Sequence, residues 1–419
     1  MLSKVVTLLP TAGLRLPSTF AALRYRNFRL WFFGQTLSLM GTWMQSVAQG
    51  WVVYELTGSK FALGAISFVG AVPTLFLMLP AGVLADRLPR QRLLLMTQTA
   101  MMVLAFALAV LAATGVLRAW HIGLLAVGLG ITNSFDAPAR QALAVEMVED
   151  RRDLMNAIAL NSTIFNLARI VGPAVGGVML ATLGAVWCFA VNGLSFLAVI
   201  GALLRMQLPN TSNAPSSEPL TVQIAAGLRY ILENRAVRTM IALIGVSTLF
   251  GLSYTVLLPA YAVDVLHVGE TGLGALNAAM GVGALTGSLI VASLGTFHHK
   301  GLLLTAGSLL FPTMLLFFAF SRSFLLSLAS LVVIGLAFVT LNATSNTLIQ
   351  SAVPDALRGR AMAVFSLMFF GTSPFGSLQA GTLAQALGPT AGVAVGAGIV
   401  LVVAVGVLFA VPSLRRFEG

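Results

Sequence analysis

The chain has 419 residues, 58% of them hydrophobic and 9% charged, with a formal net charge of +11. A water-soluble domain carries roughly a quarter charged residues and a disordered chain needs low hydrophobicity, so both classes are excluded. Cys188 is the single cysteine and there are four histidines, which leaves no disulfide framework and little for a metal centre; neither metal nor cofactor is expected. The basic residues stand in short clusters between long apolar stretches. That pattern orients helices in a bilayer and argues against nucleic acid as a partner.

A spanning helix needs about 20 mostly apolar residues. Runs of that kind predict helices at 30–54, 61–84, 93–115, 120–142, 156–181, 184–206, 238–262, 270–293, 301–320, 324–349, 360–386 and 390–411. The expected fold is therefore an all-α polytopic membrane protein with twelve transmembrane helices. Met1–Leu23 lacks a clean apolar core and a small-residue cleavage site, and reads as a cytoplasmic tail. With both termini inside, 20 of the 24 Lys and Arg residues fall on the cytoplasmic side, three fall outside and Arg169 falls within a span.

The first span carries Gln35, Ser38, Thr42, Gln45 and Gln49 at spacings of three and four. Those spacings put all five on one helical face. Polar side chains facing lipid are costly, so the stripe is expected to line an internal cavity, with helix–helix hydrogen bonding as the alternative. Glu55 follows near the outer end of this span. In the fourth span Asp136 and Arg140 stand four apart and share a face, with Pro138 between them. They fit a local ion pair, or an acid that takes up and releases a proton as its partners change. Arg169 lies well inside the fifth span, where a charge costs at least about 2.5–3.5 kcal/mol on insertion scales. It fits a structural ion pair, an anion site or a modulator of proton release, with Asp136, Gln45, Asn133 and Asn166 as candidate partners. Gly172, Pro173, Gly176 and Gly177 would let the same span bend and let another backbone approach.

Gln207–Thr221 is rich in Pro, Ser and Asn and reads as a linker, followed by an amphipathic helix over Val222–Ala236. The expected organisation is 1–206 as one six-helix bundle with its tail, 207–236 as the cytoplasmic linker, and 237–419 as the second bundle. Asn133–Gln141 (NSFDAPARQ) and Asn342–Gln350 (NATSNTLIQ) lie 209 residues apart in the fourth span of each half, which fits two parallel repeats. Tyr254 and Tyr261 share a face of the seventh span. With Asn166, Asn277 and Asn346 they are expected to join the cavity wall, aromatic or hydrogen-bonded packing being the alternative.

The loop after the second span reads Gly82-Val-Leu-Ala-Asp86-Arg87-Leu-Pro-Arg90-Gln-Arg92. It resembles the signature loop of the major facilitator superfamily. Arg169-Ile-Val-Gly172-Pro173-Ala-Val-Gly176-Gly177 resembles the glycine–proline motif of that superfamily's proton-coupled exporters, and Asp136-Ala-Pro138-Ala-Arg140 is similar to its siderophore and macrolide exporter subgroup. The matching loop of the second half, Gly287–Lys300, has lost its acidic residue. The resemblance implies two pseudo-symmetric bundles, with Gly82, Asp86, Arg87, Arg90 and Arg92 as a gate. It further implies proton-coupled export of drug-like or siderophore-like molecules across a bacterial inner membrane, by a monomer.

Asp136 and Glu55 are the candidate proton carriers. The alternatives are an importer of a small metabolite and a non-transporting receptor or scaffold. An enzyme is disfavoured: the spans hold no clustered carboxylates or histidines, and no GxxxxGK[ST], HExxH, CxxC or GxSxG motif occurs.

Overall fold

The structure is a computed structural model that describes residues 18–148, 150–206, 228–293 and 299–411. Twelve long rods make up nearly all of it. They are α1 Arg26–Thr57, α2 Lys60–Arg87, α3 Arg90–Ala113, α4 Ala119–Glu146, α5 Arg151–Leu183, α6 Ala185–Arg205, α7 Arg235–Val265, α8 Gly269–Ser293, α9 Lys300–Phe320, α10 Phe324–Ala352, α11 Asp355–Leu387 and α12 Pro389–Ala410. Among the described residues there is no β-strand. The twelve expected spans all appear, several of them extended by a turn or more into their basic ends. The amphipathic helix expected over 222–236 is described only from 228, and 228–233 is helical; the linker itself lies outside the described residues.

Local chemistry sets the ends. The α1–α2 connection is two residues long: Gly58 takes φ 58° and closes α1, and the Ser59 side chain accepts the backbone N–H of Ala62 at 3.1 Å to open α2. Ten of the twelve rods are apolar enough by length and composition to cross a bilayer. The two that fall short are α1 and α4, which carry the Gln35–Gln49 stripe and the Asn133–Arg140 segment.

Helix pairing repeats with an offset of six. In the first half α1 packs on α5, α2 on α4, and α3 on α4 and α6; in the second half α7 packs on α11, α8 on α10, and α9 on α10 and α12. The halves meet through α5 on α8 and α2 on α11, so the interface carries the same two-fold relation. This is the pair of pseudo-symmetric bundles that the resemblance implies.

One rod departs from the expected regular helix. After Val246, α7 passes through a π turn (Ser247–Gly251), a 3₁₀ stretch (Leu252–Leu257), one short α turn and a second π turn (Tyr261–Val265). Pro259 has no N–H to return to Thr255, which breaks the ladder at that point. Such irregular backbone at membrane depth is tolerated where it is buried in protein or lines a cavity.

Candidate functional site

A cavity of about 640 Å³ lies between the halves. The first half supplies most of its wall, from α1 to α6; among the described residues of the second half, α7, α8 and Ser377 of α11 join it. Gln35, Ser38, Thr42, Gln45 and Gln49 all line it. The stripe is tied back into its own half, because Asn192 of α6 donates its amide to Gln45 Oε1 at 2.7 Å.

Among the described residues three ionisable side chains face this cavity: Asp136, Arg140 and Arg169. Asp136 is 2% exposed. Its Oδ1 lies 2.9 Å from Thr97 Oγ1 and accepts the Gln98 amide at 2.8 Å, both from α3. Its Oδ2 lies 3.7 Å from Arg140 Nε, one helical turn away. The carboxylate is therefore hydrogen-bonded and counter-charged inside a water-poor wall, as a buried charge requires.

Arg169 is placed by three neighbours. Its carbonyl oxygen would lie 2.9 Å from a Cβ on Gly281 of α8, so the backbones touch. A Cβ on Gly172 would come within 2.7 Å of Trp43 Cβ; the missing side chain seats Trp43 against α5. The Trp43 ring then lies 5.8 Å from the Arg169 guanidinium carbon and 5.9 Å, edge-on, from Phe165. Among the described residues no carboxylate pairs with Arg169, and its buried Nε has no hydrogen-bond partner. None of the four partners expected for it is taken up.

The α1–α2 end of the molecule is shut. Asp264, at the end of α7, accepts the Tyr54 hydroxyl of α1 at 2.6 Å and pairs with Lys60 of α2 at 2.7 Å. Gln385 of α11 caps α2 from across the interface: its Oε1 accepts the Lys60 backbone N–H at 2.9 Å. Gly177 and Gly274 bring α5 and α8 together near the same end, where a Cβ on either would sit 2.7 Å from the other's Cα.

Several expected cavity residues lie elsewhere. Tyr254 and Tyr261 are buried in the apolar core of the second half; Tyr254 donates to Met280 Sδ and Tyr261 stacks on Phe318 at 4.8 Å. The change from α to π and 3₁₀ winding rotates the face of α7, so Leu252, Thr255, Val256 and Pro259 meet the cavity instead. Asn166 turns its amide back to the Ser162 carbonyl, and Asn346 is engaged by Gln350; neither lines the cavity. Asn277 does. Glu55 is exposed at the last turn of α1, outside the cavity.

In the basic loop, Arg90 pairs with Glu146 of α4 inside the first half, Arg92 is exposed and Gly82 faces open space. The side chains of Asp86 and Arg87 lie outside the described residues.

The sequence by itself gives no site role to Trp43, Thr97, Gln98, Lys60, Asp264 or Gln385. Asp264 carried a signal, a carboxylate at the edge of an apolar run. Its partners carried none.

Comparison with known proteins bears on the family and the fold. A family model described as transmembrane secretion effector matches residues 17–418. The chain is 28% identical to the multidrug efflux pump Tap of Mycolicibacterium fortuitum, over 83% of this chain and 87% of that one. It is 26% identical to the enterobactin exporter EntS of Citrobacter koseri, covering 93% of each. The solved structure of the nucleoside transporter NupG superposes with a TM-score of 0.72 at 13% identity, covering 96% of this chain and all of that one, and shares the fold.

Proposed function

The chain belongs to the transmembrane secretion effector family of the major facilitator superfamily, and from that premise we propose that it expels drug-like or siderophore-like small molecules by proton-coupled alternating access. The observation that carries the coupling is Asp136: a buried carboxylate on the cavity wall, held by two neutral donors and one arginine. An acid whose partners change between two conformations changes its proton affinity between them. Glu55, exposed and outside the cavity, is not given this role.

The basic loops and the Arg140 end of α4 face the cytoplasm in this reading, as do both termini, and the membrane is a bacterial inner membrane. The shut α1–α2 end then faces outward, and the structure corresponds to the state that loads substrate from inside. The bundles rock about the α5–α8 and α2–α11 contacts to open the other way. Asp86 and its neighbours gate the cytoplasmic end. One chain encloses the whole cavity, so a monomer suffices. No catalytic reaction is assigned, and nothing in the geometry favours import or a non-transporting role.

The test is efflux of a panel of anionic and cationic fluorescent dyes from proteoliposomes under an imposed pH gradient. Asp136→Asn is expected to cut gradient-driven efflux at least tenfold while leaving dye counterflow without a gradient. Undiminished gradient-driven efflux in the variant removes Asp136 from the coupling role.

A further inference from the structure

We propose that Arg169 makes this cavity an organic-anion site: it takes molecules that join an acidic group to an aromatic or aliphatic body. The inference rests on the transporter reading and names its substrate class.

Charge is the first ground. Of the three ionisable residues on the wall, Asp136 and Arg140 face each other at 3.7 Å and cancel, which leaves the Arg169 charge unmatched. No carboxylate among the described residues offsets it. A guanidinium has five donors in a planar fork and no acceptor, so it is satisfied only by acceptors, and best by a carboxylate or phosphate held in two places.

Placement is the second ground. The guanidinium does not hang free. Gly281 fixes its backbone, and Gly172 seats the Trp43 ring that backs it. At 5.8 Å the indole lies within cation–π range of the guanidinium, and this attraction uses none of its N–H donors. Phe165 stands edge-on to the Trp43 ring, and Met280 adds apolar surface to the same cavity. A cavity of about 640 Å³ falls within the size range of pockets for drug-sized ligands. The result is one polar anchor beside an apolar slot.

Direction is the third ground. With the shut end facing outward, the inside-negative membrane potential drives an anion from this site toward the outside.

The experiment uses two dyes on the same xanthene frame, anionic fluorescein and cationic rhodamine 123, with the full-length protein. Equilibrium binding is read by anisotropy in detergent, and flux is read separately in proteoliposomes. Saturable fluorescein binding, at least tenfold tighter than rhodamine 123, is expected for the intact protein. Arg169→Gln is expected to lose fluorescein binding at least tenfold with rhodamine binding unchanged or stronger, and Arg169→Lys to keep part of the preference.

A preference for rhodamine 123, an equal fall for both dyes in Arg169→Gln, or no saturable fluorescein binding overturns the proposal. If Arg169→Gln does not fold, Arg169→Lys decides alone: a fluorescein affinity and selectivity identical to the intact protein at low and high salt overturns it. Anion binding without any flux would leave the site standing and defeat the exporter reading. Flux without anion preference would do the reverse.

Discussion

Asp264 joins three helices through two short contacts, one from Tyr54 and one from Lys60. The Lys60 and Asp264 side chains are 20% and 29% exposed, so solvent screens the pair and its worth is near the upper end for surface ion pairs, about 1 kcal/mol. That is roughly a fivefold change in a two-state population. Asp264→Asn is therefore expected to favour opening of the α1–α2 end by about that factor. Spin labels on α1 and α11 near that end would show a longer distance gaining population. An unchanged distance distribution would mean that the glycine crossings alone hold the end shut.

Gln45 and Asn192 offer a second test at this scale. Gln45→Leu strands the Asn192 amide in a buried site and is expected to cost about 1–3 kcal/mol. Adding Asn192→Leu removes the stranded donor and is expected to recover most of that loss, read as thermal stability in detergent.

The helices meet across the interface between the halves through small residues. Gly177 and Gly274 touch Cα to Cα, and a Cβ on Gly274 would also lie 2.6 Å from the Pro173 carbonyl. Gly274→Val is expected to force α5 and α8 apart at a cost of about 1–3 kcal/mol to the closed arrangement. Cysteine labelling of the α1–α2 end should rise in that variant; unchanged labelling would show that the crossing tolerates bulk.

The start of α5 is expected to respond to pH. Asp150 accepts the Arg152 backbone N–H at 2.9 Å, which holds its carboxyl below the ordinary carboxylate range. A depressed carboxyl adds stability above its unfolded pKa of about 3.9 and loses it as pH falls through the lower folded value. Melting curves below pH 4 should show this loss, and Asp150→Asn should flatten it. The irregular winding of α7 belongs to this scale too. Gly251 and Pro259 were visible in the sequence, but a 100° wheel assumes α geometry throughout, and so Tyr254 and Tyr261 were assigned to the wrong face.

Across the whole molecule, one end is latched and the cavity keeps an unmatched positive charge. Carrying one negative charge outward gains about 2.3 kcal/mol per 100 mV of inside-negative potential. In vesicles holding a potassium diffusion potential, fluorescein flux is expected to rise several-fold when the compartment it leaves is made negative, and to fall when the sign is reversed. Flux indifferent to the potential would mean that the transported species is neutral overall.

The sequence alone determined the membrane class, the twelve spans, the polar face of α1 and the charges worth asking about in α4 and α5. Those features follow from composition and from a 3.6-residue period, which act within a single helix. Only the tertiary structure decided what each charge meets. Tyr54 and Asp264 are 210 residues apart in the chain, Arg169 finds an indole rather than a carboxylate, and Asp136 finds Thr97 and Gln98 on a neighbouring helix. Such contacts are set by how helices cross, through close approaches such as Gly177 on Gly274, and no periodicity within one helix encodes the rotation and depth of the next.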